Sequence, residues 1–124
     1  MPLTTAGATH IASLITGVGA AFTNALAHIG VGNSNTAFSA AHTDLQGASK
    51  LRKAQEPTYP LLAANVVTFR SLFATGDANF AWEEWGIFNA AAAGVMLSRK
   101  VETLGSKTSA QSWQLTVTIT VTPA

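Results

Sequence analysis

The sequence predicts a mainly β domain, a small sandwich or barrel-like fold, with one short N-terminal helix and a second helical turn that bring it to the margin of α+β. Three observations lead there. Trp113, Leu115, Val117, Ile119 and Val121 alternate with Gln114, Thr116, Thr118, Thr120 and Thr122, and period two means one buried and one exposed face. Asn65 to Phe73 alternates in the same way, with Val67, Phe69, Ser71 and Phe73 on one side. Turn signals rich in Gly, Asn, Asp and Pro separate several short apolar runs.

Taken in order, Thr4 or Thr5 can cap a helix running to about Ile15, because a hydroxyl satisfies an orphan amide of the first turn. Ala8, Ile11, Ala12 and Ile15 then share a helical face, and Gly17 and Gly19 end it. From Ala25 to Val31 the chain alternates, with Ala27, Ile29 and Val31 on one face. It then enters a turn at Gly30-Val31-Gly32-Asn33-Ser34-Asn35. Residues 36–41 suit the second helical turn, and Thr43-Asp44 is a further turn signal.

Lys50-Leu51-Arg52-Lys53-Ala54 is a basic strand, and Glu56-Pro57-Thr58-Tyr59-Pro60 is a loop, since prolines lack a donor and bias their predecessors away from helix. Gly76 to Ala90 holds two of the three Trp and is expected to be the central strand, paired with both of its neighbours in sequence. Val95 to Val101 should form a hairpin with it. Leu104-Gly105-Ser106-Lys107-Thr108 reads as the last turn.

At 124 residues the chain is expected to form a single domain (1–124) able to bury a core without metal or disulfide help. Cysteine is absent, so thiolate sites are excluded. Only 10% of residues are charged, against about 25% in ordinary globular chains. So weakly charged a surface favours association. The net charge of +1 supplies no general attraction to nucleic acid or membrane. No Lys, Arg, Asp or Glu precedes Asp44, so the basic start of a signal peptide is lacking and none is expected. Polar residues interrupt the same stretch too often for a membrane span.

No catalytic constellation emerges. Glu83 and Glu84 are adjacent, so on a strand they point to opposite faces, a poor geometry for two carboxylates acting on one bond. Glu84 is expected to be partly buried and paired with Arg70 or Arg99, which would fix strand register rather than perform chemistry. His10, His28 and His42 lack a metal-ligand spacing. Neither cofactor nor metal is expected. Lys50, Arg52 and Lys53 lack interleaved aromatics, so a solvated edge or inter-subunit ion pairs are expected of them rather than nucleic-acid contact. Trp82 or Trp85 could offer a sugar-stacking platform if exposed, although core packing is the expected use. The Thr116, Thr118 and Thr120 face is β-prone and uncharged, which suits an edge covered by a partner.

A series of motifs follows in order along residues 3–122. Leu3-Thr4-Thr5-Ala6-Gly7 opens a helix, and Ile29-Gly30-Val31-Gly32 ends a strand. Thr43-Asp44-Leu45 precedes the basic strand. Val67-Thr68-Phe69-Arg70 precedes Glu84-Trp85-Gly86-Ile87-Phe88-Asn89. Met96-Leu97-Ser98-Arg99 then leads into the Thr-rich end. This order resembles small bacteriophage virion proteins related to tail-collar and tail-fibre N-terminal domains.

The resemblance implies a non-enzymatic structural protein of the virion, assembled in the host cytoplasm as a homo-oligomer in contact with other virion proteins. Glu84, Gly86, Ile87, Phe88, Arg70 and Arg99 would be its structural signature. Neither a membrane nor a small-molecule ligand is implied. The collar proteins run on into a long fibre, whereas this sequence ends at Ala124. A tail, collar or neck adaptor is therefore expected, with capsid decoration as the alternative and a carbohydrate-binding module as a more distant one.

Overall fold

The computed structural model describes residues 2–123. Helix α1 (Thr5–Ile15) is followed by strands β1 (His28–Gly32), β2 (Lys50–Ala54), β3 (Leu61–Ala63), β4 (Val66–Phe73), β5 (Ala81–Phe88), β6 (Met96–Ser106) and β7 (Trp113–Thr120). The strands make two antiparallel sheets, ordered β2-β1-β5-β6 and β3-β4-β7. The protein is thus mainly β with a single short helix, as its alternating segments predict.

The core lies between the sheets. Ile29, Val31, Trp85, Ile87 and Leu97 from the first sheet meet Phe69, Phe73 and Val117 from the second. Trp82 joins them, edge-on to Phe73 and Trp113 with ring centroids 4.8 and 5.0 Å apart. Its indole donates to the Ala78 carbonyl at 2.9 Å, so burial leaves no orphan donor. By simple alternation Trp82 and Glu84 would share a face, but the β5–β6 pairing shifts register between them. The irregularity turns the indole into the core while Glu84 faces away from it.

The two sheets are stitched together along one side. Glu56 N–H donates to the Arg70 carbonyl (2.9 Å), and Arg70 N–H to the Gln55 side chain (2.9 Å). The opposite seam, between β6 and β7, is open. It holds a cleft of about 440 Å³ lined by Trp85, Lys100, Glu102, Leu104, Leu115 and Thr118.

Three expectations are corrected. First, β5 pairs with β6 and β1, not with the segment before it, because β4 belongs to the other sheet. Second, residues 36–41 form no helical turn. Ser34 and Ser39 side chains bond nearby amides there, offering the backbone a local alternative to helix. Third, β6 continues to Ser106, so the last turn falls at residues 109–110 rather than at Leu104–Thr108.

Helix α1 docks by its capped, small-residue side and not by its apolar stripe. Thr4 caps it, accepting from Gly7 N–H at 2.9 Å. Thr4 also donates its hydroxyl to the Met96 carbonyl (2.6 Å) and its amide to the Leu97 carbonyl (3.1 Å). These bonds press Gly7 onto the β6 backbone, where a Cβ would fall 2.8 and 2.9 Å from the C and Cα atoms of Leu97 and collide with its oxygen. The Ala8–Ile11–Ala12–Ile15 face is consequently turned outward, and Ile15 is 83% exposed.

β3 had no sequence signal, being three exposed residues held by β4.

Candidate functional site: a buried carboxylate–guanidinium node

The outer face of the four-stranded sheet carries Gly30, Gly32, Glu84, Gly86, Phe88 and Arg99, paired across β1, β5 and β6 in register. The segment 33–49 is laid over this face as a strap. Its ends are tied by Asn33 and Ser49, with Asn33 N–H to the Ser49 carbonyl at 3.0 Å and Ser49 N–H to the Asn33 side chain at 3.1 Å.

Small residues make the room. A Cβ on Gly30 would sit 2.7 Å from the Phe88 ring and 3.0 Å from Leu45. Leu45, Phe88 and Met96 therefore close into a second, smaller apolar cluster beneath the strap.

Beside that cluster lies an ion pair with no solvent exposure on either side chain. Arg99 Nη2 is 3.3 Å from Glu84 Oε2. Glu84 Oε1 accepts from Gln46 N–H of the strap at 2.6 Å, and Arg99 Nη2 donates to the Thr36 carbonyl of the strap at 2.9 Å. His42 Nδ1 lies 3.5 Å from Arg99 Nη1. Arg99 Nε has no hydrogen-bond partner among the described residues. A buried pair of this kind holds by its hydrogen bonds as much as by Coulomb attraction. Here those bonds run to both ends of the strap.

A third fastening lies at the strap's edge. Asp44 receives Lys50 Nζ at 2.9 Å and Arg52 Nη2 at 3.4 Å. Partial burial opposes ionisation of Asp44, but Lys50, the Leu45 amide and Arg52 outweigh it and hold the carboxyl below its usual range. Arg52 also lies 3.6 Å over the Phe88 ring and donates to the carbonyls of Ala90 and Ala93 at 2.9 and 2.8 Å. Asn89 closes the same turn by accepting from Val95 N–H at 2.8 Å.

Of the predicted site residues, the fold thus brings together Glu84, Gly86, Phe88 and Arg99, and it adds Arg52. Ile87 projects to the other side, into the main core. Arg70 stands apart on β4, where its Nε is 3.0 Å from Glu56 and its guanidinium stacks 4.2 Å over Tyr59. Glu84 is thus the partner of Arg99, not of Arg70. Within the basic strand all three cations form ion pairs inside the chain, Lys50 and Arg52 with Asp44 and Lys53 with Asp77 at 2.7 Å, in place of the inter-subunit pairs expected. Thr116, Thr118 and Thr120 are exposed on β7, which pairs only with β4 among the described residues.

Neither the type nor the spacing of Leu45 and Gln46 marks them as site residues. Their only sequence signal was the Thr43-Asp44-Leu45 motif.

The chemistry this arrangement can do is mechanical. The Glu84 carboxylate is occupied by Arg99 and Gln46. Glu83 points elsewhere and accepts from the Thr103 hydroxyl at 2.6 Å. Among the described residues, His, Cys, Asp and Glu form no group of three fit to hold a metal ion. Trp82 and Trp85 are 2% and 7% exposed, so neither presents a ring face for a sugar. Among the same residues, no helix is long and apolar enough to cross a membrane. No family model matches the chain, and no curated protein matches it either.

Proposed function

We propose that the protein is a non-enzymatic structural component of a bacteriophage virion, working as a homo-oligomer and as an adaptor at the tail, collar or neck. One observation carries the reading. The motifs behind the virion-protein resemblance are dispersed over the sequence, yet most converge on one node. Gly32 lies against Glu84. Leu45 packs with Phe88 and Met96, and Arg99 pairs with Glu84. Their convergence on one packed unit supports reading the motifs together.

Two further features suit assembly. The chain has little charge for its size, and β7 is an edge strand with an uncharged Thr face and no Pro or Lys to discourage pairing. Copy number in purified particles tests the reading. Quantitative gel densitometry of virions should show the chain at a few to a few dozen copies (an expectation from the resemblance). Hundreds of copies would move it to the capsid surface as a decoration protein. Its absence from particles would sink the proposal.

A further inference from the structure

We infer that the outward face of α1 and the apolar groove beside it are a self-association surface, and that its occupant is a second copy of this chain. The inference deepens the assembly reading by naming the surface and the partner, and it rests on that reading's homo-oligomer.

The groove lies beside α1. Leu62, Val67 and Ile119 of the second sheet line it together with Ile11, Leu14 and Phe22, around a volume of about 500 Å³. No described residue fills it. Leu62 is 76% exposed, Val121 is 66% exposed, and Ile15 on the adjoining ridge is more exposed than either. Together with Ile11 and Leu61 these residues leave roughly 550 Å² of mostly apolar surface in water, at the upper end of the 300–600 Å² of the largest patch on a typical monomer. With the partly exposed Leu14, Phe22, Val67 and Ile119 of the groove, the patch reaches the about 600 Å² per partner at which stable interfaces begin.

A second copy fits for two reasons. Ridge and groove lie side by side on one molecule. A two-fold axis beside α1 would therefore lay the Ile11–Ile15 ridge of each copy into the groove of the other, which is the self-complementarity of an isologous dimer. Ala8 and Ala12 flank that ridge and permit close approach of the helices. Charge does not oppose the meeting, because no Lys, Arg, Asp or Glu occurs in α1, in residues 61–67 or in residues 119–122. A strongly charged partner would find nothing there to pair with.

Ile15→Glu and Leu62→Glu, made separately, test the surface by sedimentation velocity across a concentration series. Both positions are exposed in the single chain, so the variants should keep the wild-type melting curve. Each change removes two buried aliphatic contacts per symmetric dimer, and the dimer Kd should rise by roughly a hundredfold or more. Wild-type dimers that fall apart in both variants support the inference. Dimers unchanged in both variants overturn it and leave the assembly reading standing, with another face in use. A monomeric wild-type chain that is nonetheless present in particles overturns the inference and the homo-oligomer, and leaves the placement in the virion standing. A monomeric chain absent from particles overturns both.

Discussion

Arg99 reaches Glu84 across neighbouring strands at 3.3 Å, and both side chains are wholly shielded from solvent. The pair faces away from the main core and toward the 33–49 strap, whose Thr36 and Gln46 backbone groups complete its hydrogen bonding. It therefore fastens a loop to a sheet.

Removing one partner should be far worse than removing both. Glu84→Leu or Arg99→Met leaves an uncompensated buried group and is expected to cost about 3–5 kcal/mol. The double variant Glu84→Leu/Arg99→Met should cost less than either single change. Urea denaturation of the four proteins measures this directly. Strictly additive losses would mean that the two side chains act independently.

Gly7→Ala sets helix propensity against packing. Alanine should favour the helix by about 1 kcal/mol. The new methyl group, however, meets the Leu97 backbone, which cannot swing aside as a side chain could, and overpacking costs about 1–3 kcal/mol. Packing should win. We expect a lower melting temperature and faster amide exchange in α1 than in β5. A stabilised variant would show that the helix does not dock so closely.

Val117 and Thr118 are adjacent on β7 but face opposite ways, the first buried and the second exposed. Val117→Asp should abolish folding, because an unpaired buried carboxylate costs several kcal/mol against a total stability of about 5–15 kcal/mol. Thr118→Asp should fold, as judged by circular dichroism, and weaken any assembly that uses this face. Similar behaviour of the two would invalidate the face assignment.

Acid should weaken the fold through three carboxylates. Asp77 is held low by Lys53 and the Ala74 amide. Glu102 is held low by the Trp85 indole, then by Lys100, against some desolvation. Asp44 is also lowered. A carboxyl whose pKa is lower in the folded chain binds fewer protons there. Its stabilisation is complete above the unfolded value of about 4 and is lost as pH falls through the folded value. The urea midpoint should therefore drop between pH 6 and pH 3, and Asp77→Asn should shrink the drop. A flat profile in the wild type would refute this.

The segments legible in the sequence were those whose pattern depends on local chemistry. β4 and β7 each bury one face, so period two survives in their residues. Thr4 announces its helix because capping needs only nearby atoms. What failed needed distant partners. The pairing of β5 with β1 rather than β4 is a choice among sheets that alternation does not encode. The docking of α1 follows from Thr4 and Gly7 engaging β6, and it overrides the apolar stripe. The pairing of Glu84 was narrowed to Arg70 or Arg99 and settled by topology. Leu45 and Gln46 stayed hidden because a loop residue that packs under a strap has no periodic neighbours to reveal it.

The strap's fastening also bears on the order in which the chain folds. Gln46 and Glu84 are separated by 38 positions and Thr36 and Arg99 by 63, while the acceptor and donor they need are set side by side only when β5 and β6 have zipped into their hairpin. Loop-closure entropy must be met before such distant bonds can form. The strap should accordingly lock last, after the hairpin that supplies its anchor. Pulse-labelled amide exchange during refolding should then show Gln46 gaining protection after Gly86, and the reverse order would overturn this sequence of events. A chain emerging from the ribosome would keep its outer sheet face uncovered until residues beyond Arg99 had been made.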